Sequence, residues 1–119
     1  MKTNIKDKIE RLLSCKTTTV AFENILKKVY LLTLAEKDKA NEIAVANVSA
    51  WYHTNKKQRD INFGKYTIIE SLYSVLATTL KAIQPIFAHQ PLNVRICKEI
   101  TALLNQCLAT INNIINIEG

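Results

Sequence analysis

Between Cys97 and Ile114 apolar residues recur at intervals of three and four, through Cys97, Ile100, Leu104, Cys107, Ile111 and Ile114. That spacing marks one side of a helix and predicts a buried seam. Ile96, Leu103, Leu108, Ile115 and Ile117 widen it, while Lys98, Glu99, Asn105, Gln106, Asn112 and Asn113 take the remaining face. A helix this broadly apolar needs several packing neighbours. Residues 63–84 repeat the pattern through Tyr66, Ile69, Tyr73, Leu76, Leu80 and Ile83. Pro85 and Pro91 bracket a short connection that contains His89, so the two helices should be antiparallel neighbours, with Pro91 in the first turn of the second.

Upstream, Phe22, Ile25, Leu26, Val29 and Leu32 define one stripe, and Ala40, Ile43, Ala44, Val48 and Trp51 another in the same phase. One unbroken helix over residues 20–54 fits the phase, at a length of roughly 52 Å. A compact domain of this size has a radius of gyration near 14 Å, however, which favours a reversal of direction in AEKDKAN (35–41), a stretch without large apolar residues. A shorter amphipathic segment, Ile5, Ile9, Leu12 and Leu13, precedes these stripes. The expected fold is all-α: an antiparallel up-and-down four-helix bundle over about 20–117, with a short additional N-terminal helix over about 3–14, all in a single domain 1–119.

Composition agrees with helices. Of 119 residues 48% are apolar, ample for one core, and only two glycines and two prolines are available for turns. The three cysteines are odd in number, and Cys97 and Cys107 stand about 15 Å apart along one helix, beyond disulfide reach. They read as buried thiols in a reducing compartment. With no long apolar run and a charged beginning, MKTNIKDKIERLL, the expected location is the cytoplasm, away from any membrane.

Charge changes the picture more. The net charge of +6 comes from two places: residues 1–16 carry five basic and two acidic side chains, and residues 53–66 carry four and one. Segments 17–52 and 67–119 are each balanced. With a reversal near 36–41, the two basic regions meet at one end of the bundle; without it they stand at opposite ends. The candidate nucleic-acid contacts are Lys56, Lys57, Arg59 and Lys65, joined by Arg11 and Lys16. Trp51, Tyr52, Phe63 and Tyr66 are interleaved with them, as rings that stack on bases would be. The other reading, which helical spacing favours for Trp51, Phe63 and Tyr66, is that the rings close the end of the core. The uncharged face Asn105, Gln106, Asn112, Asn113 and Asn116 is either plain surface or a contact between subunits.

Several chemistries are not written in this chain. One internal glycine, Gly64, cannot build a phosphate-cradling loop, and His53 and His89 are isolated, so no cofactor or metal is expected. Ser49, His53 and Asp60 are near one another in sequence only, and no Glu-x-x-His pair is present, so no catalytic residues are assigned and the chain is read as non-enzymatic.

Three stretches resemble a known group. KKVYLLT (27–33) is similar to the end of its first helix, NVSAWYHTNKKQR (47–59) to its second helix and basic loop, and KYTIIESLYSVLATTL (65–80) to its third helix. The group is the small four-helix-bundle proteins that include ribosomal RNA intervening-sequence proteins and the accessory variability determinants of diversity-generating retroelements. This chain lacks the group's Phe-Pro after Thr33 and its Asn-Ile-Ala-Glu-Gly type of sequence, and adds residues 1–16. The resemblance implies a cationic homo-oligomer that binds structured nucleic acid and assists a reverse transcriptase or similar partner, with Lys56, Lys57 and Arg59 as contacts. The expected function is therefore an accessory protein that binds nucleic acid, with RNA the expected form. The alternative is a protein-interaction module, such as an immunity or inhibitor protein, whose cations meet an acidic partner. A structural subunit with no ligand is a third reading.

Overall fold

The computed structural model describes the backbone of residues 2–14, 18–49, 56–87 and 93–119, with side chains except at 2, 47–49, 56–60 and 87. The described residues form four helices and no strand: α1 (Lys2–Leu13), α2 (Thr19–Ser49), α3 (Lys56–Phe87) and α4 (Val94–Glu118).

Local chemistry sets several boundaries. After α1, the Ser14 hydroxyl donates to the Arg11 carbonyl at 2.7 Å. Thr18 then caps α2, its Oγ1 accepting from the Ala21 N–H at 3.1 Å. Asn93 caps α4 from an extended backbone, its Oδ1 accepting from the Ile96 N–H at 2.9 Å. Helix α4 thus begins at Val94 rather than at Pro91, which lies outside the described residues. Pro85 lies within α3, two residues before its end, so the helix outlasts the expected exit by a fraction of a turn.

The reversal expected at 35–41 does not occur. Helix α2 runs through it unbroken for 31 residues. Ala, Glu and Lys dominate that stretch and are good helix formers, and the buried positions Val29, Thr33, Ala40 and Ala44 keep one face through it. Lys39 and Glu36, one turn apart, form an ion pair at 3.5 Å across the same region. Thr33 therefore lies mid-helix, not near a helix end, and the N-terminal helix is one of four rather than an addition to four.

Helix α2 packs on α3, α3 on α4, and α1 on both α4 and α2, while the backbones of α1 and α3, and of α2 and α4, stay apart. Between α2 and α3, one groove is lined by Leu34 and Lys37 with Ser74 and Ala77, and the next by Glu23 and Lys27 with Lys81 and Gln84. Lower numbers on α2 thus accompany higher numbers on α3. The core is continuous: Ile5, Ile9 and Leu12 of α1 join Phe22, Leu26 and Val29 of α2, Ile69, Tyr73, Leu76, Leu80 and Ile83 of α3, and the α4 seam. That seam buries Ile96 in the place expected for Cys97, which is half-buried. Thr33, the one residue classed polar that is buried among the described residues, donates its hydroxyl to the Val29 carbonyl at 2.7 Å.

The helices differ in length, and this shapes the molecule. At the standard rise α1 spans about 18 Å and α4 about 37 Å, against about 46 and 48 Å for α2 and α3. Glu36 of α2 and Glu118 at the end of α4 both act electrostatically on Tyr73 of α3, so the three helices converge at that level. Past Ala40 and Ile69, which still belong to the buried core, the end of α2 and the start of α3 continue as a two-helix arm, roughly 10 Å long by the difference in length between α3 and α4. The radius of gyration is 16.7 Å and the molecule measures 56 × 20 × 18 Å, a rod rather than the compact body expected.

Candidate nucleic-acid interface

The arm carries one of the two basic regions. Lys56, Lys57 and Arg59 occupy the first turns of α3, and positions 56, 59 and 63 fall along one side of it by their spacing. The first turn holds no acidic residue, so the positive end of the helix dipole and the basic residues act in the same sense. Lys65, three turns in, is half-buried and holds its Nζ 5.6 Å from the centre of the Tyr66 ring, a cation–π contact.

The aromatic and apolar residues divide. Tyr66 is half-buried against the core, as its spacing predicts. Phe63 is 44% exposed, so it does not close the core. Trp51, Tyr52 and His53 lie outside the described residues. Ile61 and Ile68, seven residues apart on α3, and Ile43 and Val45 on α2 are also exposed. Sequence reasoning counted Ile43 among the core positions. It misses because α1 and α4 end before this level, leaving the arm a partner on one side only. The spacing of Ile61 and Ile68, off the main α3 seam, was the available signal.

Arg11 does not join Lys56, Lys57, Arg59 and Lys65. It lies exposed in the last turn of α1, beside the start of α2, whereas α3 starts past the far end of α2. An unbroken α2 separates its own two ends by about 45 Å. The single shared patch expected from a reversal is therefore not formed. Lys16, like Cys15, lies outside the described residues.

Other chemistry is sparse. Cys97 and Cys107 are both free thiols. Among the described residues no group of three or more His, Cys, Asp or Glu side chains is placed to hold a metal ion. No described helix is long and apolar enough to cross a membrane. On the α4 face, Asn105, Gln106, Asn113 and Asn116 are exposed and Asn112 is half-buried. Compared with known proteins, the chain matches no family model, no curated protein and no solved structure.

Proposed function

We propose that this chain is a non-enzymatic accessory protein of the cytoplasm that binds nucleic acid, RNA in particular, through the arm. The observation that carries the reading is the concentration of Lys56, Lys57, Arg59 and Lys65 against the single acid Asp60 at the start of α3, on the part of the molecule that α1 and α4 leave uncovered. Phosphates would be held by the cations and by the helix N-terminus, and exposed Phe63 supplies a ring on which a base can stack. The opposite groove order on α2 and α3 supports an antiparallel up-and-down bundle that would hold the arm stiffly. The resemblance to intervening-sequence proteins and retroelement accessory proteins adds a homo-oligomer and a partner such as a reverse transcriptase to the same reading. Arg11 is left out of the interface, and Lys16 lies outside the described residues.

Fluorescence anisotropy with a labelled RNA hairpin tests this. The wild-type protein should bind at low salt and weaken as salt rises. Lys56→Ala/Lys57→Ala/Arg59→Ala should lower affinity at least about tenfold and flatten the salt slope by roughly two to three. Arg11→Ala should change affinity by less than about twofold. Absence of low-salt binding by a folded wild-type protein, or equal binding by the triple variant, sinks the proposal. The first result would turn attention to the interaction-module reading, which exposed Ile61 and Phe63 favour as apolar anchors for a protein partner.

A further inference from the structure

A second surface lies on the body of the molecule, away from the arm's tip. Along the outer seam of α2 and α3, two adjoining grooves share Tyr30 and Lys81 and form one trough. Its floor is apolar, from Tyr30 and Leu34 of α2 and Ala77 of α3. Leu31 stands on its edge, 54% exposed in the middle of a helix that buries its neighbours Val29 and Thr33. From Glu23 to Lys37 the trough runs about 21 Å along α2, four helical turns, and is open to solvent throughout.

The rim is basic. Lys27 and Lys81 stand exposed beside the trough and Lys37 half-buried, and none of the three forms an ion pair among the described residues. On the far side of Leu31, Lys8 and Lys28 border a third, smaller groove. The nearby acids stand toward the ends: Glu23 at one, and Asp38, one turn past Leu34, at the other. Glu36 is mostly buried and pairs with Lys39.

We infer that this trough is a docking site for an acidic amphipathic helix of a partner protein. Its length suits one helix of about 15 residues, whose apolar face at spacings of three and four would cover Leu31, Tyr30 and Leu34. Carboxylates flanking that face would meet Lys27, Lys37 and Lys81. The trough joins an apolar lining to lysines that make no ion pair among the described residues, and one such ligand complements both. A nucleic-acid backbone would satisfy the lysines and leave Leu31 uncovered. The site stands independently of the arm.

The probe is a fluorescein-labelled helical peptide of leucine and glutamate in this pattern, with a leucine–lysine peptide of the same pattern as control. Saturable binding of the acidic peptide and none of the basic one is expected. Lys37→Glu/Lys81→Glu should weaken it about tenfold or more. Thr78→Trp, at an exposed position of the trough, should obstruct it with the melting temperature unchanged. Lys56→Ala/Lys57→Ala/Arg59→Ala should leave peptide binding intact, which separates this inference from the arm reading. No saturable binding at low salt, equal binding of both peptides, or indifference to the two groove variants overturns it. Loss of RNA-hairpin affinity in Lys37→Glu/Lys81→Glu, without loss of peptide binding, assigns the trough to nucleic acid instead and also overturns it.

Discussion

Tyr73 sits where α2, α3 and α4 converge, 1% exposed, and its hydroxyl has no hydrogen-bond partner. An unmatched buried hydroxyl costs about 1–3 kcal/mol of desolvation, so the ring stabilises the core in spite of its oxygen. Burial, then the carboxylates of Glu118 and Glu36, hold its phenol well above the usual tyrosine range. Burial likewise pushes the Cys107 thiol from 9.0 up to about 12, against a smaller opposing effect of its backbone hydrogen bond. Both groups are therefore neutral when folded and ionise more readily when unfolded. Their contribution is full below the unfolded values, near 9 for the thiol and 10 for the phenol, and is lost as pH climbs through the folded ones. Urea melts should show stability falling from about pH 9 upward, and Tyr73→Phe should reduce that alkaline loss while leaving neutral-pH stability equal or higher, within about 1 kcal/mol. A large neutral-pH loss in Tyr73→Phe would mean that the hydroxyl is bonded after all.

At the scale of the element, α2 and α3 are held as long helices by different means. Helix α2 has no interior Gly or Pro, and its buried positions shrink from Phe22 and Leu26 to Ala40 and Ala44 as the surrounding helices run out. Helix α3 crosses Gly64, where an added Cβ would meet nothing within 4 Å. Its Thr67, Ser71, Thr78 and Thr79 hydroxyls each donate to the carbonyl four residues earlier, so the polar groups of its outer face are satisfied locally. Gly64→Ala should stabilise by about 0.5–1 kcal/mol, the helix preference of alanine without a packing cost. Asp38→Pro, by contrast, should destabilise by about 3 kcal/mol or more, because it removes a backbone bond from the middle of α2. Chemical denaturation of both variants checks the pair. A mild effect at Asp38 would restore the turn that AEKDKAN suggested.

For the whole molecule, shape decides which charges act together. A body of four helices with a two-helix extension is 56 Å long, and its radius of gyration of 16.7 Å exceeds the roughly 14 Å of a compact chain this size. Electrostatics between its two ends is screened at physiological salt, where the Debye length is about 8 Å. Spin labels at Arg11 and Gln58, in a background lacking the native cysteines, should therefore report a separation of about 35 Å or more by pulsed dipolar spectroscopy, where a doubled-back α2 would place them within about 20 Å. The same length keeps the arm and the lysine-rimmed trough on different parts of the surface, free to engage different ligands at once.

Helical class, the seams of α3 and α4 and the amphipathic first segment were legible in the sequence, because periodicity and propensity are local and here agree. Cys107, Ile111 and Ile114 are buried as their spacing predicts. The clustering of Lys56, Lys57, Arg59 and Lys65 is a property of the sequence alone, since charge counts need no coordinates. What required the tertiary structure was whether residues 35–41 bend: local preference favoured helix, a compactness argument opposed it, and packing along the continuous α2–α3 seam resolved the conflict toward the rod. From that followed the separation of Arg11 from the arm and the exposure of Phe63 and Ile43. Sequence spacing states which residues share a face of a helix; only the lengths and positions of the neighbouring helices decide how much of that face is covered.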